Sequence, residues 1–174
     1  MSDSSAPAAS THALAAEFRE VMAGVVTPVS VVTAMDDQRP HGTTVSAFAS
    51  LSLDPPMVLV SLDRDSDLLA LVEASGRFGL NVLDTAQAGL ARRFARKGHD
   101  KFDGVRWRPD HGLPRLAGGT GWLACAVDRL VEGGDHVIVL GVVLAADRQP
   151  ARPLTYHARV FGTHTELEVR RSCG

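Results

Sequence analysis

Cysteine is scarce: the 174-residue chain has only Cys125 and Cys173, far apart and in no CxxC pair. A disulfide framework is excluded, and a reduced, cytoplasmic protein is the expectation. Charge of one sign is also lacking, with 18 Lys and Arg against 20 Asp and Glu and a formal net charge of −2. That balance gives no basic field for nucleic acid and no acidic tail. No apolar run reaches the length of a membrane span. Met1 to Thr11 has neither a basic n-region nor an apolar core, so neither membrane insertion nor export is expected. His12, His41, His99, His111 and His164 show no metal-ligand spacing, which argues against zinc. No serine sits in a G-x-S-x-G elbow, so hydrolase chemistry has no support. What remains is one domain of ordinary length, able to bury roughly two-thirds of its unfolded surface without a staple.

Met1 to Ser10 is small and polar and reads as a tail, and the domain boundaries fall at 1–12, 13–164 and 165–174, with a loose C-terminal segment. Leu14, Phe18, Val21 and Met22 share one helical face between Ala13 and Ala23. The Val- and Thr-rich stretch Val25–Met35 reads as a strand, followed by a turn at 36–40 and a second strand from His41 to Ser50. Met57–Leu62 is an apolar run of strand length. Ser66 to Ala74 reads as a helix with Ser66 as N-cap and Gly76 at its C-terminal end. Phe78–Leu83 is a further strand, and Gln87–Arg96 a further helix ended near Gly98. A loop over 97–119 allows one brief strand near Trp107. Trp122–Val131 and His136–Ala146 are long strands joined by the glycine-bearing turn at 132–135. Leu154–Phe161 reads as a last strand. Six or seven strands with three helices and no regular βαβ alternation point to a mainly β barrel with peripheral helices.

One motif points elsewhere. Gly119-Thr120-Gly121-Trp122-Leu123-Ala124 matches G-x-G-x-x-A, and Asp147 lies further on. A dinucleotide-binding turn follows a strand and opens a helix, whereas this one follows a loop and enters a strand. A glycine-rich loop is therefore the preferred reading. Asn81, within an apolar strand, is expected to make a structural hydrogen bond.

The most informative segment is Gly42 to Pro56, where small and hydroxyl residues crowd a strand that ends in two prolines. It permits a flat ligand to approach the backbone, with amides and hydroxyls free to bond a polar ring edge. An ordinary edge strand facing water fits the same pattern. The segment resembles the flavin-binding strand of the flavin reductase-like family, whose members share an FMN-binding split β-barrel. Four more stretches agree in order: Ser75–Leu83, Lys101–Val105, Gly133–His136 and Pro153–His157. The resemblance covers about Phe18 to Gly162.

The resemblance implies that the isoalloxazine lies along Thr44, Val45, Ser46 and Ala47, held mainly by main-chain hydrogen bonds. It places Ser50, Leu51 and Ser52 around the same cavity and ribityl chain, and the phosphate near Ser61, Leu62, Asp63, Arg64 and Ser66. Lys101 is implied to reach that phosphate, with Phe94 and Phe102 packing nearby. His136 is implied to lie by the reactive face of the flavin, as the catalytic histidine. Tyr156, His157 and Arg159 resemble the strand that contacts the nicotinamide. Many members carry a basic-glycine pair after the tyrosine, and here His157-Ala158 stands instead.

Taken together, the resemblance implies a homodimeric NAD(P)H-dependent flavin reductase. It would pass hydride to FMN or FAD, FMN being slightly preferred, and supply reduced flavin to a partner monooxygenase. NADH is the expected donor, with NADPH open. Two alternatives stand beside it: a split-barrel oxidase or oxygenase acting directly on a small organic substrate, and a flavin-binding protein without turnover.

Overall fold

The structure, a computed structural model, describes residues 8–37, 39–98 and 100–167. Helix α1 spans Ala8–Ala23 and begins well before the expected Ala13. Alanines at 8, 9, 13, 15 and 16 are the strongest helix formers, and they extend the helix into a stretch expected to be tail. Residues 1–7 of that tail, and 168–174 of the C-terminal one, lie outside the described residues; 163–167 carry no regular structure. Leu14, Phe18, Val21 and Met22 are all exposed on α1, with Val21 at 69%.

Strands β1 (Thr27–Pro28), β2 (Ser30–Asp36), β3 (Arg39–Val45), β4 (Phe48–Leu53) and β5 (Pro56–Asp63) come after it. Helix α2 (Asp67–Ser75), strand β6 (Arg77–Val82), a single 3-10 turn over Thr85–Gln87 and helix α3 (Ala88–Phe94) come next. The chain continues through β7 (Trp107–Asp110), β8 (Leu113–Leu116), β9 (Gly121–Gly133), β10 (His136–Arg148), β11 (Thr155–His157) and β12 (Val160–Gly162). The expected strand His41–Ser50 is thus two strands broken at Ser46-Ala47. The expected strand Leu154–Phe161 is a small hairpin, turned by Ala158 and Arg159 at φ of 46° and 65°. Neither residue is a usual turn former, so the sequence carried no turn signal there.

Seven strands form one antiparallel sheet in the order β3-β2-β6-β9-β10-β5-β4. Its two edge strands, β3 and β4, are consecutive in the chain and separated only by Ser46 and Ala47. The sheet must therefore curl until its two edges approach each other, and Ser61 N donates to Ala47 O at 2.9 Å, carrying the β4–β5 pairing one residue beyond β4. A barrel whose wall is split beside β3 results.

The interior of the barrel is filled by Val32, Val60, Leu62, Phe78, Leu80 and Val139, and α2 covers one end with Leu68, Leu69 and Val72. A second cluster lies outside the wall, where α3 presses Ala91 and Phe94 against Val29, Val31, Leu83 and Leu154. Strand β2 is buried on both faces, so its polar side chains must find partners. Ser30 donates to Val45 O at 2.8 Å and Thr33 to Pro114 O at 2.7 Å. Asn81 has the structural part expected of it, donating to Val31 O at 3.2 Å and accepting from Leu116 N at 2.8 Å. Ser66 accepts from Leu69 N at 3.2 Å, and Gly76, at φ 66°, closes α2. The Gly119–Ala124 motif enters β9 and opens no helix, and Asp147 pairs with Arg115.

Candidate functional site

A cavity of about 560 Å³ opens at the split in the barrel wall. Its first wall is β3 and the break after it: Thr44, Val45, Ser46 and Ala47 all border the space. As the sheet edge, β3 carries one row of N–H and C=O groups paired with no other strand. The second wall is the end of β5 and the start of α2, where Ser61, Leu62, Asp63 and Ser66 border the cavity. His136, at the start of β10, and Lys101 with Phe102, from the loop after α3, complete the residues that sequence placed here.

Several expected residues are elsewhere. Ser50, Leu51 and Ser52 lie on the edge strand β4 and border neither this cavity nor the second cleft described below; Leu51 is 45% exposed. Arg64 donates from Nη2 to Gly134 O at 3.0 Å and forms an ion pair with Glu132, so the β9–β10 turn takes the guanidinium. Phe94 does not border the cavity itself but, as expected, packs nearby: it is fully buried and meets the cavity-lining Phe102 edge-on at 4.9 Å. The threonine hydroxyls are not free donors either. Thr44 Oγ1 donates to Ala91 O at 2.7 Å and Thr43 Oγ1 to Phe94 O at 3.4 Å, tying β3 to α3. Gly42 permits that approach, since a Cβ there would stand 3.1 Å from the Phe94 ring.

Sequence reasoning missed the residues just beyond the last turn of α3. Arg96, Lys97 and Gly98 border the cavity, as do Asp65 and Asp67 on the opposite side. The basic run Arg92, Arg93, Arg96, Lys97 leading to Lys101 was the available signal. Lys101 Nζ donates to Gly42 O and to Phe94 O, each at 3.2 Å. Burial lowers its pKa from the ordinary lysine value, and Asp67 partly opposes that. His136 Nδ1 lies 2.8 Å from Asp135 Oδ1, and this contact holds the Asp135 carboxyl below the usual carboxylate range. An ionised carboxylate only accepts, so in the neutral ring the proton sits on Nδ1 and Nε2 is an acceptor.

A second cleft, of about 670 Å³, adjoins the first and shares Thr44, Ser46 and Ala95 with it. Tyr156 and Arg159 border this cleft, together with Arg92 and Phe161; His157 borders neither space. Arg92 lies over the Phe161 ring at 5.2 Å. No Asp or Glu is among its lining residues, in contrast to the mixed charges of the first cavity.

The first cavity falls within the range of small-molecule sites, roughly 300–1,000 Å³. Free edge-strand amides beside it, three cationic side chains at one wall and an adjoining aromatic cleft suit a planar, polar-edged ring bearing phosphate.

Comparison with known proteins agrees. Residues 22–165 match the family described as flavin reductase like domain. The chain is 37% identical to the reductase subunit HsaB of a flavin-dependent monooxygenase from Mycobacterium tuberculosis, over 89% of this chain and 83% of that one. Nitrilotriacetate monooxygenase component B from Mycobacterium thermoresistibile superposes with a TM-score of 0.85 at 33% identity, over 93% of this chain and 96% of that one. The NADH:FAD oxidoreductase SgcE6 of Streptomyces globisporus, solved with NAD and FAD fragments, gives 0.82 at 36% identity, over 87% of this chain and 93% of that one. With the split barrel, the cavity at its seam and a match across most of its length, this chain belongs to the flavin reductase-like family.

Proposed function

We propose that this protein takes hydride from a reduced nicotinamide nucleotide, delivers it to FMN or FAD, and hands the reduced flavin to a separate monooxygenase. One observation carries the reading: the end of edge strand β3 and the break after it, from Thr44 to Ala47, form the wall of a cavity that adjoins a second, arginine-bearing cleft. Bound flavin supplies the two-electron acceptor and the nicotinamide the hydride.

The chain's own part is alignment and electrostatics. Main-chain amides at Ser46 and Ala47 are positioned to bond the polar edge of a ring and to stabilise negative charge gathering there. Arg96, Lys97 and Lys101 give the first cavity a cationic wall for phosphate. His136 offers Nε2 as an acceptor to an amide N–H while Asp135 fixes the ring through Nδ1. Tyr156, Arg159 and Arg92 receive the nicotinamide nucleotide in the second cleft, so that the shared wall at Thr44 and Ser46 holds the two ligands in contact. Near-contact alignment of this kind supplies much of the rate.

The proposal includes a homodimer, for which the exposed apolar face of α1 is the supporting feature. It also includes a cytoplasmic setting, in keeping with a buried free thiol at Cys125. No helix among the described residues is long and apolar enough to cross a membrane.

Steady-state oxidation of NADH and NADPH, with FMN, FAD and riboflavin as variable acceptors, tests the function. Flavin-dependent oxidation of either nucleotide is expected, and failure with all three flavins refutes it. A stoichiometrically yellow protein that turns over an organic substrate unaided would place it with the oxygenases instead.

A further inference from the structure

We propose that Glu20 of α1 sets the affinity of the second cleft for its nucleotide by competing for the Arg159 guanidinium. The inference rests on that cleft being the nicotinamide nucleotide site.

The cleft has two cations, and they are held differently. Arg92 is stacked over Phe161, which leaves its charge uncompensated by that partner. Arg159 donates from Nη2 to Glu20 Oε1 at 2.5 Å, with both side chains 67% exposed. The pair is brought together by an unusual piece of backbone. Ala158 and Arg159 both occupy the left-handed region, which disfavours residues with a Cβ. Ala158 N donates to Ala23 O at 2.8 Å, so the end of α1 grips the tip of the β11–β12 hairpin at both turn residues. A strained turn persists only where its surroundings hold it, and here the holding element also carries the carboxylate.

The two possible acceptors for Arg159 are unequal. An exposed carboxylate partner contributes little and exchanges readily. A phosphate in the cleft offers several charged oxygens that a guanidinium can take bidentately, with Arg92 adding a second cation. Nucleotide binding therefore draws Arg159 away from Glu20, and the Glu20 charge opposes that exchange. Glu20 acts through Arg159 and is a positioning residue.

Glu20→Gln keeps the shape of an exposed helical side chain and removes the charge. The expected result is a fall of about two- to five-fold in KM for NADH, the range an exposed ion pair commands, with kcat and the KM for flavin unchanged. Glu20→Asp should restore a KM close to that of the parent protein, and Glu17→Gln, the same change one turn earlier on α1, should leave it unaltered. Arg159→Ala should raise KM for NADH in the same assay. A Glu20→Gln variant whose KM is unchanged or higher, beside an Arg159→Ala variant whose KM is raised, overturns the competition and leaves the cleft assignment standing. If Arg159→Ala also leaves KM unchanged, the cleft assignment itself fails.

Discussion

Replacing Lys101 with methionine separates the clamp this side chain makes between β3 and α3 from the phosphate contact proposed for it. The ammonium donates to the carbonyls of Gly42 and Phe94 at 3.2 Å, and its third proton remains for a ligand in the cavity it borders. Methionine keeps the stem and deletes the charge. On the stability side, two long charge-assisted bonds are lost, but the desolvation that lowers the lysine pKa is relieved, and Phe94 O still accepts from Thr43 Oγ1. The net cost is about 1 kcal/mol, or roughly 2–4 °C in Tm for a chain of this size. On the binding side, a charge-assisted bond to phosphate contributes about 1.5–3 kcal/mol, reduced by the solvent reaching this partly open wall. The KM for FMN should therefore rise about tenfold, since each ~1.4 kcal/mol is tenfold. Riboflavin, which has no phosphate, serves as the internal control and should change by less than about twofold. The pH dependence has a definite sign. Burial lowers the Lys101 pKa, so the charge is lost at a lower pH than for an exposed lysine. In the parent protein, KM for FMN should climb through the alkaline range while that for riboflavin stays level. In the variant both should stay level. Equal increases for FMN and riboflavin would refute the phosphate contact and leave Lys101 as a clamp between β3 and α3.

Arg64→Ala should leave the KM for FMN within about twofold, because Gly134 O and Glu132 already hold the guanidinium; a large rise would move Arg64 into the phosphate site. His136→Ala should lower kcat/KM for NADH by about tenfold, the worth of one hydrogen bond, with flavin affinity unchanged by equilibrium titration. Gly141→Ala places a Cβ 2.6 Å from Cε1 and Cζ of the fully buried Phe78. Overpacking of that severity costs about 3 kcal/mol, so thermal denaturation should move down by roughly 6–12 °C.

Local chemistry wrote much of the fold into the sequence. Ser66 and Gly76 bound α2 as their side-chain and backbone preferences dictate, and the glycine-bearing turn joins the two long strands β9 and β10. The G-x-G-x-x-A motif was recognisable as a strand entry from the residues that follow it, although the segment before it, expected to be a loop, is strand β8. The hydroxyl-rich run through Thr44 to Ala47, read with the family resemblance, pointed to the cavity-lining stretch. Where local signals were weak, the sequence misled. Alanines near the N-terminus extended α1, and a turn built from Ala158 and Arg159 looked like continuous strand.

Which side chains meet across the cavity was decided by tertiary structure alone. Strand twist and register accumulate over seven strands before β3 and β4 approach each other, and no short window of sequence contains that sum. That curl leaves Ser50–Ser52 off the cavity lining, while the end of α3, with Arg96 and Lys97, faces the same space as β3. The partner of a long charged side chain is set by what lies within reach, which is why Arg64 answers to Glu132 and Arg159 to Glu20. Residue types and their order determined the elements and the class of ligand; the curl of the sheet determined which residues share the space around it.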